Sequence, residues 1–292
     1  MSIRGCPVCG ASLIDELLDA ANTLQRCPRC RHVVRDLARC PAGARAHAYG
    51  GAAGLDLVRL RLTMRRLRRL ITPGARVFEI GYGAGTLLRW LHADGYQVAG
   101  IDSGQAGLDT TPGLPSGALR HRGAATVRLG RDEHPYDLVV AIHVIEHVPD
   151  PLAVLSAAHA LLRPGGRIAV ITPSADSLGL DWFGAAWWML EDPTHLALFS
   201  PDSLTRALRA SGFVGPRVTR PLLESMSCEA ASLRRRGHTD ESGGPGVMVA
   251  RSTLALAAGT LPIDLFIRLA RPRLRPALFA TAVVPGSGVP AR

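Results

Sequence analysis

Apolar positions along the chain keep two different rhythms. Leu57, Leu60, Met64, Leu67 and Leu70 or Ile71 recur at helical intervals, which predicts an amphipathic helix over Leu55–Ile71, stopped by Pro73-Gly74. Short, nearly continuous apolar runs follow at Val77–Ile80, Val98–Ile101, Tyr136–Ile142 and Arg167–Thr172. Runs without alternation are what strands buried on both faces require. Thr126–Leu129 reads as a further strand. Pro151–Leu162 reads as a helix closed by Arg163-Pro-Gly-Gly166, and Ser200–Phe213 as a capped helix leading into another strand. Ala277–Val284 reads as a closing antiparallel strand. Strands alternating with helices predict an α/β fold with a doubly wound, mostly parallel sheet, here of seven strands.

The join after the first of these strands carries the most chemistry. It reads VFEIGYGAGTLL over 77–88: an apolar run, then Gly81, Gly83 and Gly85, then an amphipathic segment. Glycine suits such a turn because a Cβ would keep a ligand from the backbone and because positive φ costs glycine little. Asp102 ends the next strand, 21 residues past Gly81, where a nucleotide-binding unit places the carboxylate that accepts from ribose hydroxyls. A dinucleotide loop would read G-x-G-x-x-G and seat a pyrophosphate. Here Glu79 precedes the glycines, which suits a ligand carrying a positive ammonium and a sulfonium.

On these residues the chain resembles the class I S-adenosylmethionine-dependent methyltransferases, whose first motif is E/D-x-G-x-G-x-G. YDLVVAIHVIEHVPDP (136–151) and LLRPGGRIAVITPS (161–174) resemble later motifs of small-molecule methyltransferases of the ubiquinone-biosynthesis type. DPTHLALFSPDSLTRALRASGF (192–213) is similar to a block of a bacterial subgroup that carries an amino-terminal zinc module and acts on sugars, lipids or secondary metabolites. The resemblance covers about residues 6–214 and implies a Rossmann-like fold and S-adenosylmethionine as cofactor. It implies cofactor contacts from Glu79, Gly81, Gly83, Gly85, Asp102, Ile142 and His143. The acid that commonly reads adenine has only poor counterparts in Arg131-Asp132-Glu133.

Methyl transfer to a hydroxyl or amine needs a proton removed, a task that suits histidine near neutral pH. His195, flanked by Asp192-Pro-Thr, Trp182, Trp187, Trp188 and Phe199, is the first candidate base. His147 and His143 are the others, although His147 could instead cap or pack the following helix. The tryptophans read as a substrate lid, since no basic residue lies among them.

Cys6-Pro-Val-Cys9 and Cys27-Pro-Arg-Cys30 are two C-x-x-C knuckles with 17 residues between them. Two knuckles complete a tetrahedral four-thiolate set, so a closed structural Zn2+ site is expected, with His32 as a substitute ligand. Metal binding would supply the folding energy of so small a segment. Cys40 and Cys228 have no partner knuckle.

The 292 residues then divide into a zinc ribbon (1–40), a linker at Pro41–Ala46 with the arginine-rich helix (41–74), a cofactor-binding core (75–220) and a cap with the closing strand (221–292). Glu229–Gly246 reads as a mobile loop. Leu254–Leu274 reads as part of a substrate cap, with a membrane-surface helix as the other reading. No uninterrupted apolar run of membrane-spanning length is evident.

The net charge of +10 says less than it suggests, because all 34 basic residues are arginine in a chain rich in alanine, glycine and proline. The opening residues lack a secretory signal, so a cytoplasmic setting with reduced cysteines is expected. The expected function is methyl transfer, with oxygen as target atom, to a small-molecule, sugar or lipid-linked acceptor. An RNA methyltransferase using the zinc module and the arginine helix is one alternative, and a non-catalytic cofactor-binding relative is another. Nucleic acid is disfavoured because Ile142-His-Val-Ile145 stands where base-amine methyltransferases place Asn/Asp-Pro-Pro-aromatic. Contact with an anionic or membrane surface would run through the arginine-rich helices.

Overall fold

The computed structural model describes residues 5–19, 22–39, 53–102, 113–115, 118–121, 127–130, 134–190, 194–236 and 251–286. They form two compact units. One comprises Met1–Arg59, Thr172–Ser203 and Thr219–Leu278, the other Leu60–Ile171, Leu204–Val218 and Phe279–Arg292.

The second unit is built on a seven-stranded sheet. Its strands are β4 (Arg76–Ile80), β5 (Gln97–Asp102), β6 (Leu119–His121), β7 (Tyr136–Ile142), β8 (Leu162–Pro173), β10 (Val214–Thr219) and β11 (Ala277–Val283). Their order is β10-β11-β8-β7-β4-β5-β6. β4 pairs in parallel with both β5 and β7, β5 with β6, and β7 with β8. β11 runs the other way: Val284 bonds Gly165 and Gly166 at the start of β8, and the Pro276 carbonyl accepts from Ser174 at its end. Val77, Phe78, Ile80, Leu138, Val139 and Ile168 are fully covered, as strands with helices on both faces demand.

Three expectations change here. The third strand lies at Leu119–His121, not Thr126–Leu129: Gly100, Ile101 and Asp102 pair with these three residues. Val127–Leu129 has no regular structure, and Thr126 lies outside the described residues. β8 begins at Leu162, so Arg163–Gly166 opens a strand, with Gly165 at φ 76 and a register shift opposite Tyr136/Leu138. The arginine helix α1 spans Ala53–Leu67, with Met64 and Leu67 buried but Leu57 exposed.

The amino-terminal residues of the first unit form an antiparallel sheet, β1 (Ile14–Asp19), β2 (Asn22–Arg26), β3 (Val33–Arg35) and β9 (Ala197–Leu198). The pairing of Val33 with Leu198 and Val34 with Ala197 joins this ribbon to a distant stretch of chain. Leu24, Val33, Leu180, Trp187, Leu198 and Cys228 share one core. The described residues of 5–39 and most of those of 221–286 fall in this one unit.

Glu229–Arg236 is not a loop but part of helix α6 (Cys228–Arg236), whose Ala230 and Ala231 are buried. It runs antiparallel to α7 (Arg251–Ala270): Arg234 meets Ser252 at one end, and Glu229 meets Arg268 at the other. By length and composition α7 could cross a membrane, although Asp264 and Arg268 interrupt its apolar run as the sequence reading has it. Cys40, Pro41–Ala46 and Gly237–Gly246 lie outside the described residues.

Candidate cofactor site

The sheet order reverses between β4 and β7, since the chain leaves β4 toward β5 on one side and β7 toward β8 on the other. Loops that follow the two strands diverge at such a point and leave a crevice at the strands' carboxyl ends. The loop after β4 contains Gly81 at φ 74, Gly83 at φ 52 and Gly85 at φ 69, all left-handed. Gly81 is fixed twice over. Besides its φ, a Cβ there would stand 2.4 Å from Val144 Cγ2 in the loop after β7. Gly81 N–H donates to the Ile101 carbonyl at 2.7 Å, and Gly83 N–H to Asp102 Oδ2 at 3.0 Å. Gly85 is the N-cap of α2 (Thr86–Ala93), so the turn ends where a helix N-terminus begins.

Glu79 lies one residue from the end of β4 and is 4% exposed. Burial, reinforced by the negative charge of Asp102, pushes its carboxyl up to about 8. Its Oε2 is buried without a hydrogen-bond partner among the described residues. An orphaned carboxylate oxygen is costly unless a ligand supplies the missing donor. A cationic ammonium answers that need, whereas the pyrophosphate of a dinucleotide would oppose it. The loop, Glu79 and Asp102 fit S-adenosylmethionine on both counts.

At the end of β7, Ile142 is buried and His143 takes a left-handed φ of 52, uncommon for a residue with a side chain. His143 N–H bonds the Ile171 carbonyl at 2.8 Å, and its Nδ1 lies 3.0 Å from Glu146 Oε1. Glu146 is fully buried. The sequence reading missed it, although its spacing of three from His143 was the available signal. His147 does not cap the helix that follows. α3 (Pro151–Leu161) is capped by Asp150, whose Oδ1 accepts from Ala153 N–H at 2.9 Å.

His195 belongs to the first unit, ahead of β9. It is buried, its Nδ1 meets the Met189 carbonyl, and its own carbonyl accepts from Arg35 Nε at 3.0 Å. The tryptophans do not form a lid together: Trp187 and Trp188 sit in the core, and Trp182 is exposed. Asp192 and Arg131-Asp132-Glu133 lie outside the described residues.

The four cysteines converge in that same unit. Sγ atoms of Cys6, Cys9, Cys27 and Cys30 all lie within 4.8 Å of one another, close enough to share one metal ion. The knuckles are built alike: Gly10 and Arg31 take left-handed φ, and their N–H groups bond the carbonyls of Cys6 and Cys27 at 2.9 Å. His32 is not a substitute ligand. Its ring packs on Phe199 at 4.7 Å, and burial pushes its pKa down to about 4.

The methyltransferase domain family matches residues 55–215. Among curated relatives, the ubiquinone biosynthesis O-methyltransferase of Marinobacter nauticus is 38% identical over 110 residues, 36% of this chain and 46% of that protein. The enzyme of the same name from Aeromonas salmonicida is 32% identical over 153 residues, 48% and 63% of the two chains. The chain thus spans only about half the length of the curated relatives it matches. Two solved structures share the fold. An S-adenosylmethionine-dependent methyltransferase from Mesorhizobium loti has TM-score 0.50 and 17% identity, covering 79% of this chain and 100% of that one. One from Archaeoglobus fulgidus has TM-score 0.50 and 19% identity, covering 78% and 94%. Motif, crevice and matched residues converge: the chain belongs to the class I S-adenosylmethionine-dependent methyltransferase family.

Proposed function

We propose that this protein transfers a methyl group from S-adenosylmethionine to a hydroxyl oxygen of a small-molecule, sugar or lipid-linked acceptor. The observation that carries the reading is the buried Glu79 Oε2, without a hydrogen-bond partner among the described residues, beside a glycine turn that is bonded to Asp102. Glu79 answers the ammonium, Asp102 the ribose hydroxyls, and the Gly81–Gly85 backbone, Ile142 and His143 line the remainder. When bound, the sulfonium supplies an electrophilic methyl group for in-line displacement. The chain's own residues orient the acceptor, exclude water and take up the hydroxyl proton. His195 is the first choice for that base, and His143, held by Glu146, and His147 are the others. Oxygen as target atom is supported by the O-methyltransferase names of the relatives. A structural Zn2+ on Cys6, Cys9, Cys27 and Cys30 completes the reading.

RNA as substrate has less support. Of the six arginines at 59, 61, 65, 66, 68 and 69, Arg59 faces Glu224 at 3.9 Å, Arg66 lies over the Phe279 ring and Arg68 pairs with Asp94, so three are engaged within the protein. Calorimetric titration with S-adenosylmethionine, with NAD as competitor, tests the cofactor. Micromolar binding indifferent to NAD is expected, and preference for NAD would overturn the reading. Isotope-labelled methyl transfer to a panel of hydroxylated acceptors then tests the reaction.

A further inference from the structure

Helix α7 is turned inside out. In a water-facing helix the charged side chains lie outward and the apolar ones inward. Here Thr253 and Arg268 are buried, and Asp264 is half-buried, accepting from Thr260 Oγ1 at 2.7 Å. The outward side carries Leu256, Pro262, Ile263, Phe266 and Leu269, and Ile263, Phe266 and Leu269 are 61%, 72% and 59% exposed. Ser252 is the one polar residue among the exposed positions described on this helix. Scattered exposed apolar residues are ordinary, but a continuous face of this size marks an interaction surface.

Both ends of that face are basic. Arg234 meets Ser252 at 2.7 Å, which sets Arg234-Arg235-Arg236 beside the start of α7. Arg271 and Arg273 follow its end and are exposed. An apolar stripe between clusters of arginine matches the acyl boundary and anionic headgroups of a bilayer surface. A second copy docked on the same face about a two-fold axis would set each arginine rim against itself or a like-charged rim, with no exposed acid on the described face to relieve it.

Helix α7 is also long enough to span a bilayer, but its inner face argues against crossing. Arg268 donates to Glu229 Oε1 and Oε2 and to the carbonyls of Leu222, Glu224 and Ser225, at 2.6 to 3.0 Å. Spanning would strip a buried guanidinium of those partners, whereas lying in the plane keeps all of them. We propose that α7 is an in-plane anchor that seats this protein on an anionic lipid surface through Ile263, Phe266 and Leu269, with the flanking arginines on the headgroups. Anchoring does not depend on methyl transfer.

Flotation of the full chain with phosphatidylcholine vesicles, with and without about one-third phosphatidylglycerol, tests this. Binding to the anionic vesicles is expected, falling at least tenfold in Ile263→Gln/Phe266→Gln/Leu269→Gln. These positions are exposed, so thermal unfolding of the triple variant should match the parent. Arg271→Gln/Arg273→Gln should weaken binding by roughly fivefold per arginine at low salt. Failure to float, or equal flotation of the triple variant, would overturn the proposal. So would a lipid-free dimer, seen by light scattering, that the triple variant abolishes. Resistance of bound protein to carbonate extraction would replace in-plane seating with a spanning helix.

Discussion

The backbone N–H of Gly83 donates to Asp102 Oδ2 at 3.0 Å, so the turn after β4 and the carboxylate at the end of β5 form one bonded unit. The loop is therefore set by the protein itself, and its ligand meets a preorganised cradle.

Asp102→Ala should remove both the lock on Gly83 and the proposed ribose acceptor. A hydrogen bond to a charged group contributes about 1.5–3 kcal/mol, so affinity for S-adenosylmethionine should fall on the order of 10- to 100-fold. Calorimetry checks this, and unchanged affinity would remove Asp102 from the site.

Gly81→Ala meets two separate obstacles, a left-handed φ of 74 and a Cβ position 2.4 Å from Val144 Cγ2. Backbone strain of roughly 1–2 kcal/mol and overpacking of roughly 1–3 kcal/mol should both appear in denaturant unfolding. Adding Val144→Ala relieves the clash and leaves the strain. The double variant should therefore recover part of the packing loss, and full recovery would show that φ at Gly81 is not constrained.

Glu79 gives the pH dependence. Its pKa stands at about 8 in the folded protein against an ordinary 4.5, so the folded state holds the proton that the unfolded state has already lost. This group's share of stability is complete below about 4.5 and is lost as pH rises through about 8, a decline on the order of a few kcal/mol. Glu79→Gln should flatten that decline in unfolding experiments without ligand. Where Glu79 answers an ammonium, it must be ionised, so cofactor affinity should rise with pH up to about 8. A flat affinity profile would separate Glu79 from the ammonium.

His195→Ala should lower kcat by on the order of 100-fold or more if His195 is the base, with cofactor affinity little changed. His195→Gln keeps a donor for the Met189 carbonyl and so tests packing apart from proton transfer. Recovery of turnover by His195→Gln would make His195 a structural residue and shift the base to His143 or His147.

Burial on both faces decides what could be read from the chain alone. β4, β5 and β7 are covered above and below, so selection wrote them as continuous apolar runs, and their loops were legible with them. β6 is only three residues long, too short to show a rhythm, while buried Val127 drew the reading further along. α6 ends in three arginines and looks like a loop, yet Cys228, Ala230 and Ala231 bury its other face. Small residues give almost no apolar signal. Glu146 was missed for a related reason: an acid in a loop looks solvated until the fold covers it. Trp187 and Trp188, read as lid, fill the core beside Gly179, whose absent Cβ makes room for the Trp187 indole.

Metal removal should separate the two units functionally. Among the described residues, the cysteine knuckles have only a small apolar cluster of their own around Cys6, Cys27 and Cys30, too little to hold them without an ion. What the ribbon holds is extensive. Ser200 Oγ donates to the Cys30 carbonyl at 2.6 Å, β3 pairs with β9, and Arg35 donates to the His195 carbonyl at 3.0 Å. Loss of the ion, by chelation or by Cys27→Ser, should therefore loosen 195–200 together with the knuckles. Glu79, Gly81 and Asp102 belong to the other unit. Turnover should then collapse while cofactor affinity stays within a few-fold, and zinc should restore the chelated protein but not the Cys27→Ser variant. One equivalent of zinc by atomic spectroscopy, measured alongside calorimetry and methyl transfer, checks the split. Parallel loss of binding and turnover would mean that the ribbon supports the whole fold, and full activity without metal would remove zinc from the account.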